Sequence, residues 1–314
     1  MTRPSFLASI SPSTLAHVLL LTVVAIWGAT FVVVKDALQD ASPLLFNLLR
    51  MSLAFVALAA INRRQLRDLS RRTMLSGMVV GIFLAAGYQF QTAGLARTTP
   101  AKSAFITGLV VVFVPLLTVV PALRPNGTHA PRWNAALGAL LAFSGLLLLT
   151  TPAGTQLQNV FTTIGIGDLL TLACALAFAA HLLSIAHTSR GIPVAQLATL
   201  QIGFAALIMA ITLPLGGHLH LTFSVRLISA LAVTSLFATA AAFTIQSWAQ
   251  QHLPPTHTAV LLTLEPVFAF LTSLIFFHER LGRRSLAGAS LILTGIAITE
   301  LLTSPAPLPA HPSS

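Results

Sequence analysis

Charge is what this chain has least of. Of its 314 residues only 8% are Asp, Glu, Lys or Arg, and 7 of those are acidic. A soluble domain carries roughly 25%. So few charges cannot cover a water-facing surface of this size, which excludes a water-soluble globular domain and leaves lipid as the solvent. Cysteine is limited to Cys174, inside an apolar run, so there is no disulfide framework. No HExxH and no glycine-rich phosphate loop occur, which leaves no visible metal-dependent hydrolase motif and no primary pump. No apolar run has the regularly spaced arginines of a voltage sensor. No cofactor and no metal is expected.

What is present is hydrophobicity: 55% of the residues, with a mean hydropathy of +0.87. The formal charge of +10 comes from 17 basic residues against 7 acidic ones. The basic residues sit in short loops between apolar runs rather than on one face, so nucleic acid is excluded as a partner despite a pI of 11.7. A bilayer core about 30 Å thick needs about 20 apolar residues per helix. Ten spans are predicted, at 15–35, 43–62, 73–95, 101–121, 133–151, 166–187, 193–214, 226–248, 256–277 and 285–302. The first run is too long for a signal-peptide core and reads as a retained span. Residues 1–14 precede it, and the proline-rich tail 303–314 reads as disordered.

The apolar pattern occurs twice. Pro43 and Pro193 each open a run, 150 residues apart. Pro100-Ala101-Lys102-Ser103-Ala104 has a counterpart 155 residues on, at Pro255-Thr256-His257-Thr258-Ala259. Gly138 and Gly145 are seven apart, as are Gly288 and Gly295, again 150 residues later. Such a period is a duplicated domain, not a solenoid. The copies run over 15–151 and 166–302, joined by a linker at 152–165, with five spans in each. An odd number of spans inverts one copy relative to the other. The expected fold is therefore an all-α membrane protein of ten transmembrane helices in two inverted five-helix repeats. That architecture belongs to transporters, with the substrate site where the halves meet. Arg63, Arg64, Arg67, Arg71 and Arg72 follow the second span, which places that loop and both termini in the cytoplasm.

Further local signals are Trp27-Gly28-Ala29-Thr30-Phe31 followed by Lys35 in the first span, and Arg50 in the second. Leu264-Glu265-Pro266-Val267-Phe268 lies in the ninth, followed by Phe277-His278-Glu279-Arg280-Leu281 and then Gly288 and Gly295. In this order, over about residues 15–302, they resemble the EamA family of the drug/metabolite transporter superfamily. The resemblance implies a carrier of the bacterial inner membrane. It implies the movement of small metabolites such as amino acids or drug-like compounds, often outward, by alternating access around a central cavity. Its partners are then a small-molecule substrate and the lipid bilayer, in a monomer or a homodimer. The sixth span departs from the first. Ala177-Phe178-Ala179-Ala180-His181 stands against Ile26-Trp27-Gly28-Ala29-Thr30, so the halves line any cavity differently.

Arg50 lies about 10 Å into its span at 1.5 Å per residue. A guanidinium at that depth faces protein or water, not lipid. It either grips a substrate carboxylate with two parallel hydrogen bonds or ties helix ends through their carbonyls. Glu265 either carries a proton or satisfies backbone groups released by Pro266, which together form a candidate coupling or gating pair. His181 either titrates or stays neutral with one hydrogen bond. Asn47, Tyr88, Gln89 and Gln246 are candidate substrate contacts or interhelical bridges. Trp27 and Phe31 share a helix face and either meet an apolar substrate or pack on a neighbour. The rival reading, a membrane enzyme acting on a lipid or lipid-linked substrate, has only His278 with Glu279 and His218 with His220 to draw on.

Overall fold

A computed structural model describes residues 11–125, 133–150, 164–188, 191–253, 258, 261–262 and 264–301. The expected tail at 303–314, most of the linker and the first part of the ninth span lie outside the described residues.

Helix α1 (Pro12–Ala37) starts where Ser11 accepts a hydrogen bond from the Thr14 amide and Pro12 supplies a pre-set φ at the first turn. Next come α2 (Pro43–Ile61), α3 (Arg71–Leu95), α4 (Pro100–Thr107), α5 (Val110–Leu117) and α6 (Trp133–Thr150). After them come α7 (Ile166–Thr188), α8 (Val194–Thr212), α9 (Val225–Ser235), α10 (Ala242–His252), α11 (Glu265–Phe276) and α12 (Arg283–Leu301). A π-turn at Leu236–Ala241 joins α9 to α10, so that Val225–His252 runs as one long helical stretch. Likewise α4 and α5 form the stretch Pro100–Leu117, interrupted at Gly108.

Among the described residues, seven helical stretches are long and apolar enough to cross a membrane. Two more apolar helices, Ala136–Leu149 within α6 and Glu265–Phe276, are shorter. The chain is a multi-pass membrane protein, and its polarity is arranged accordingly. Val56, Leu140, Ile211 and Phe276 are all more than 60% exposed on the outside, while Asn47, Gln201 and Arg50 are buried. Lipid solvates the outer leucines and valines, but nothing in hydrocarbon satisfies an amide or a guanidinium, so those turn inward.

Each helix has a clear partner. α3 packs on α7 and α8, α1 on α10 and α11, α2 on α8, and α6 on α12. The last pair is made by glycines. A Cβ on Gly288 would lie 2.6 Å from the Gly145 carbonyl oxygen and 2.7 Å from the Leu149 amide. A Cβ on Gly295 would lie 2.5 Å from the Gly138 carbonyl oxygen. The seven-residue glycine spacing thus sets two backbones against each other, and lipid-facing helices gain contact that larger residues would block. At one end, the loop after α1 meets the loop before α9. The Ser42 amide donates to the His220 carbonyl and the Thr222 amide to the Asp40 carbonyl, with a single antiparallel bridge between Ala41 and Leu221. Arg226 closes the latch with a two-pronged grip on Asp40, at 2.8 Å from Nε and 2.7 Å from Nη2. Ser224 adds its hydroxyl at 2.5 Å.

Two outcomes test this packing. Gly288→Ala lowers the melting temperature of the detergent-solubilised protein, by the equivalent of about 1–3 kcal/mol for overpacking. An unchanged melt means the α6–α12 contact yields freely. Asp40 is held at about 2, from an ordinary 3.8, first by its hydrogen bonds from Arg226 and then by that from Ser224. A depressed carboxyl stabilises fully above its unfolded value and loses that contribution as pH falls through its folded one. The stability difference between wild type and Asp40→Asn therefore shrinks from about pH 4 to about pH 2, read as melting temperature against pH. A constant difference removes the latch.

Candidate functional site

The interior holds a cavity between α1, α2, α3 and α4–α5 on one side and α7, α10 and α11 on the other. Trp27, Thr30, Phe31 and Val34 reach it from α1, at the spacing of a single helix face. Seven of the sequence candidates line it: Trp27, Phe31, Arg50, Tyr88, His181, Gln246 and Glu265.

Its polar centre depends on the π-turn. Within Leu236–Ala241 the hydrogen-bond register lengthens, and the Thr239 hydroxyl donates to the Thr234 carbonyl at 2.7 Å. The Ala238 carbonyl accepts from side chains. It receives the Trp27 Nε1–H at 2.8 Å and the Arg50 Nη2–H at 3.2 Å. Arg50 also donates from Nε to the Thr239 hydroxyl at 2.7 Å and from Nη2 to the Tyr88 hydroxyl at 3.0 Å. Its guanidinium carbon stands 4.3 Å from the centre of the Tyr88 ring, within cation–π range. A guanidinium has five N–H donors. Nη1 has no protein partner among the described residues, and no carboxylate pairs with Arg50.

Around this group lies a basket of rings. Phe243 is central, with centroids 5.4 Å from Trp27, 6.0 Å from Tyr88 and 5.6 Å from His181. Phe178 meets the Tyr88 ring edge-on at 5.3 Å. His181 bonds through Nε2 to Gln201 Oε1 at 2.9 Å, and Gln201 donates onward to Ser247 at 3.2 Å. Gln246 lines the space, and its buried Oε1 has no partner among the described residues. Glu265 faces Arg50's cavity without pairing to it and stands in the first turn of α11, where the helix dipole favours an anion. The helix begins at Glu265, with Pro266 in its first turn, so this proline shapes a helix start rather than a mid-helix bend. Gly28 allows the approach. A Cβ there would lie 2.8 Å from the Glu265 carbonyl oxygen and 2.6 Å from Phe268 Cβ.

Three candidates lie outside the lining. Asn47 is fully buried behind it, donating to the Tyr88 carbonyl at 2.9 Å and accepting from the Thr92 hydroxyl at 3.0 Å. Gln89, one residue and about 100° round the helix from Tyr88, accepts from Thr212 of α8 at 3.1 Å. Pro266 packs with its Cγ 2.9 Å from where a Gly108 Cβ would sit, at the α4–α5 interruption. Phe243 and the Ala238 carbonyl line or build the site without any sequence signal. Thr30 stood in the Trp27–Phe31 motif, Gln91 among the polar residues of the third span, and Phe178 as the repeat counterpart of Trp27. The corner between α3 and α4 is fixed at both ends. Lys35 donates to the last α3 carbonyls, Leu95 at 2.8 Å and Ala96 at 3.2 Å. Glu279 accepts from the Ala101 amide at 3.3 Å and from the Ser273 hydroxyl. A cation thus meets a helix C-terminus and an anion a helix N-terminus. His278 beside it takes a φ of 53°, and His218 and His220 are exposed. No group of three metal-binding side chains occurs among the described residues.

The sequence model of the EamA-like transporter family matches the chain twice, over residues 14–151 and 165–301. The chain belongs to the EamA-like transporter family. An archaeal relative, an uncharacterized transporter of Archaeoglobus fulgidus, is 34% identical over 89% of this chain and 83% of its own length. The uncharacterized transporter YoaV of Bacillus subtilis is 23% identical over 88% of this chain and 94% of its own. The chloroplastic WAT1-related protein At3g02690 of Arabidopsis thaliana is 25% identical over 87% of this chain and 66% of its own. A crystal structure at 18% identity superposes with a TM-score of 0.65 over 92% of this chain and 97% of that one, a likeness of fold alone. The first two of these relatives carry the name of transporter, as the family does.

Asn47 gives the site a direct test. Asn47→Leu leaves the Tyr88 carbonyl and Thr92 hydroxyl without their partner and destabilises by about 1–3 kcal/mol. A denaturant titration of the solubilised protein reads the change. Unaltered stability means Asn47 does not hold Tyr88.

Proposed function

We propose that this EamA-like chain is a secondary transporter that exports small organic metabolites, such as amino acids or drug-like compounds, across a bacterial inner membrane. Its ten spans form two inverted five-helix repeats, 15–151 and 166–302, with both termini cytoplasmic. The repeats rock about the cavity to expose it to either side. The packing supports the inversion: under a shift of 150 to 155 residues, α3 on α7 corresponds to α1 on α10, and α1 on α11 to α7 on α5, and each of these contacts exists.

The observation that carries the reading is Arg50. A buried guanidinium with Nη1 unspent and no counter-anion favours a ligand bearing a carboxylate or similar group. The rings of Trp27, Tyr88, Phe178 and Phe243 suit an apolar or aromatic body. Glu265, across the cavity, meets a donor group of the substrate or carries a proton during the cycle.

Flux into proteoliposomes across a panel of amino acids and cationic or anionic drugs tests the proposal. The expected result is uptake of at least one compound, lost in Arg50→Ala and made insensitive to a pH gradient in Glu265→Gln. Uptake unaffected by either substitution removes both assigned roles, and no uptake of any compound removes the transporter.

A further inference from the structure

Two polar side chains with buried, unpartnered atoms, Gln250 and Thr258, each stand one helical turn from a residue of the cavity lining. Gln246 ends the lining of α10, and Gln250 follows one turn on, leading away from the Arg50 attachment at Ala238 and Thr239. Residues four apart share a helix face, so Gln250 lies beyond the cavity on the side that Gln246 occupies. Both its Oε1 and its Nε2 are buried without a partner among the described residues. Thr258 is fully buried, and its Oγ1 also has none among them. It stands four residues ahead of Leu262, another lining residue. Val24, Leu182 and Leu262 belong to one buried apolar cluster, and Leu182 and Leu262 also line the cavity. At the level of Gln250, its neighbour Ala249 packs with Leu20 and Leu253, both buried.

An unpaired buried amide or hydroxyl costs about 1–3 kcal/mol. A permanent wall at this depth is better made of leucine, as its neighbours are. Neither residue is charged, so the stretch offers donors and acceptors without a group that would trap an ion. We infer that Gln250 and Thr258 line the continuation of the substrate path, the half that is closed here and opens to the opposite membrane face. There, water and the polar groups of the passing metabolite satisfy the orphaned atoms. The inference rests on the transporter reading and adds the residues of the exit.

Cysteine accessibility tests it in the full-length protein. The only native thiol, Cys174, is fully buried, so the wild type serves as the blank. Gln250→Cys, Thr258→Cys and, on the cavity wall, Gln91→Cys are treated with a membrane-impermeant charged methanethiosulfonate. Sealed right-side-out and inside-out vesicles are compared. The expected result is labelling of Gln250→Cys and Thr258→Cys from one face only, opposite to the face that labels Gln91→Cys. Labelling from the same face as Gln91→Cys, or from neither face, overturns the path. Should Gln250→Cys fail to reach the membrane, Thr258→Cys decides alone by the same criterion. Flux with both exit positions unlabelled removes only the path. Loss of flux in the unsubstituted protein removes the transporter reading instead.

Discussion

Everything at the centre of this protein hangs on one backbone oxygen. The Ala238 carbonyl, within the π-turn at Leu236–Ala241, accepts from two side chains, Trp27 of α1 and Arg50 of α2. It is one of three anchors of the guanidinium, beside the Thr239 and Tyr88 hydroxyls. In a low-dielectric interior a guanidinium without such partners is prohibitively expensive. These three anchors are what allow a cation at this depth, and the cation is what gives the cavity its chemistry.

The second constraint is the solvent. With hydrocarbon outside, burying leucine gains little, and helices adhere by close backbone approach and internal hydrogen bonds. Gly145 against Gly288 and Gly28 against the Glu265 carbonyl supply the first. Asn47 to Tyr88 and Thr92, and His181 through Gln201 to Ser247, supply the second. These bonds serve packing and site at once. Asn47 holds the backbone under Tyr88, whose ring and hydroxyl hold Arg50, so a residue with no access to the cavity governs one that lines it.

Much of the site was legible in the sequence because charge in a membrane span is conspicuous. Arg50 and Glu265 stand out among apolar neighbours, and the tryptophan–glycine pair at Trp27 and Gly28 marks a crossing. Gln89 and Asn47 were equally conspicuous, yet both serve as interhelical ties, since a polar side chain in a span seeks any partner and the sequence does not name which. Phe243 went unremarked because one phenylalanine among 19 carries no signal. Pro266 was legible as a disturbance, but its place at the start of α11 depends on the interruption at Gly108 that receives it.

By itself the sequence determined the solvent, the helical class and the family. Hydropathy along the chain and the spacing of its glycines and prolines are local quantities, and lipid leaves the backbone few alternatives to helix. Only the tertiary structure decided which oxygen receives Arg50, which rings enclose it and which amides are left unpaired. Those outcomes depend on how α10 turns against α1 and α2, across separations of nearly 200 residues. No run of neighbouring residues encodes the rotation of one helix against another.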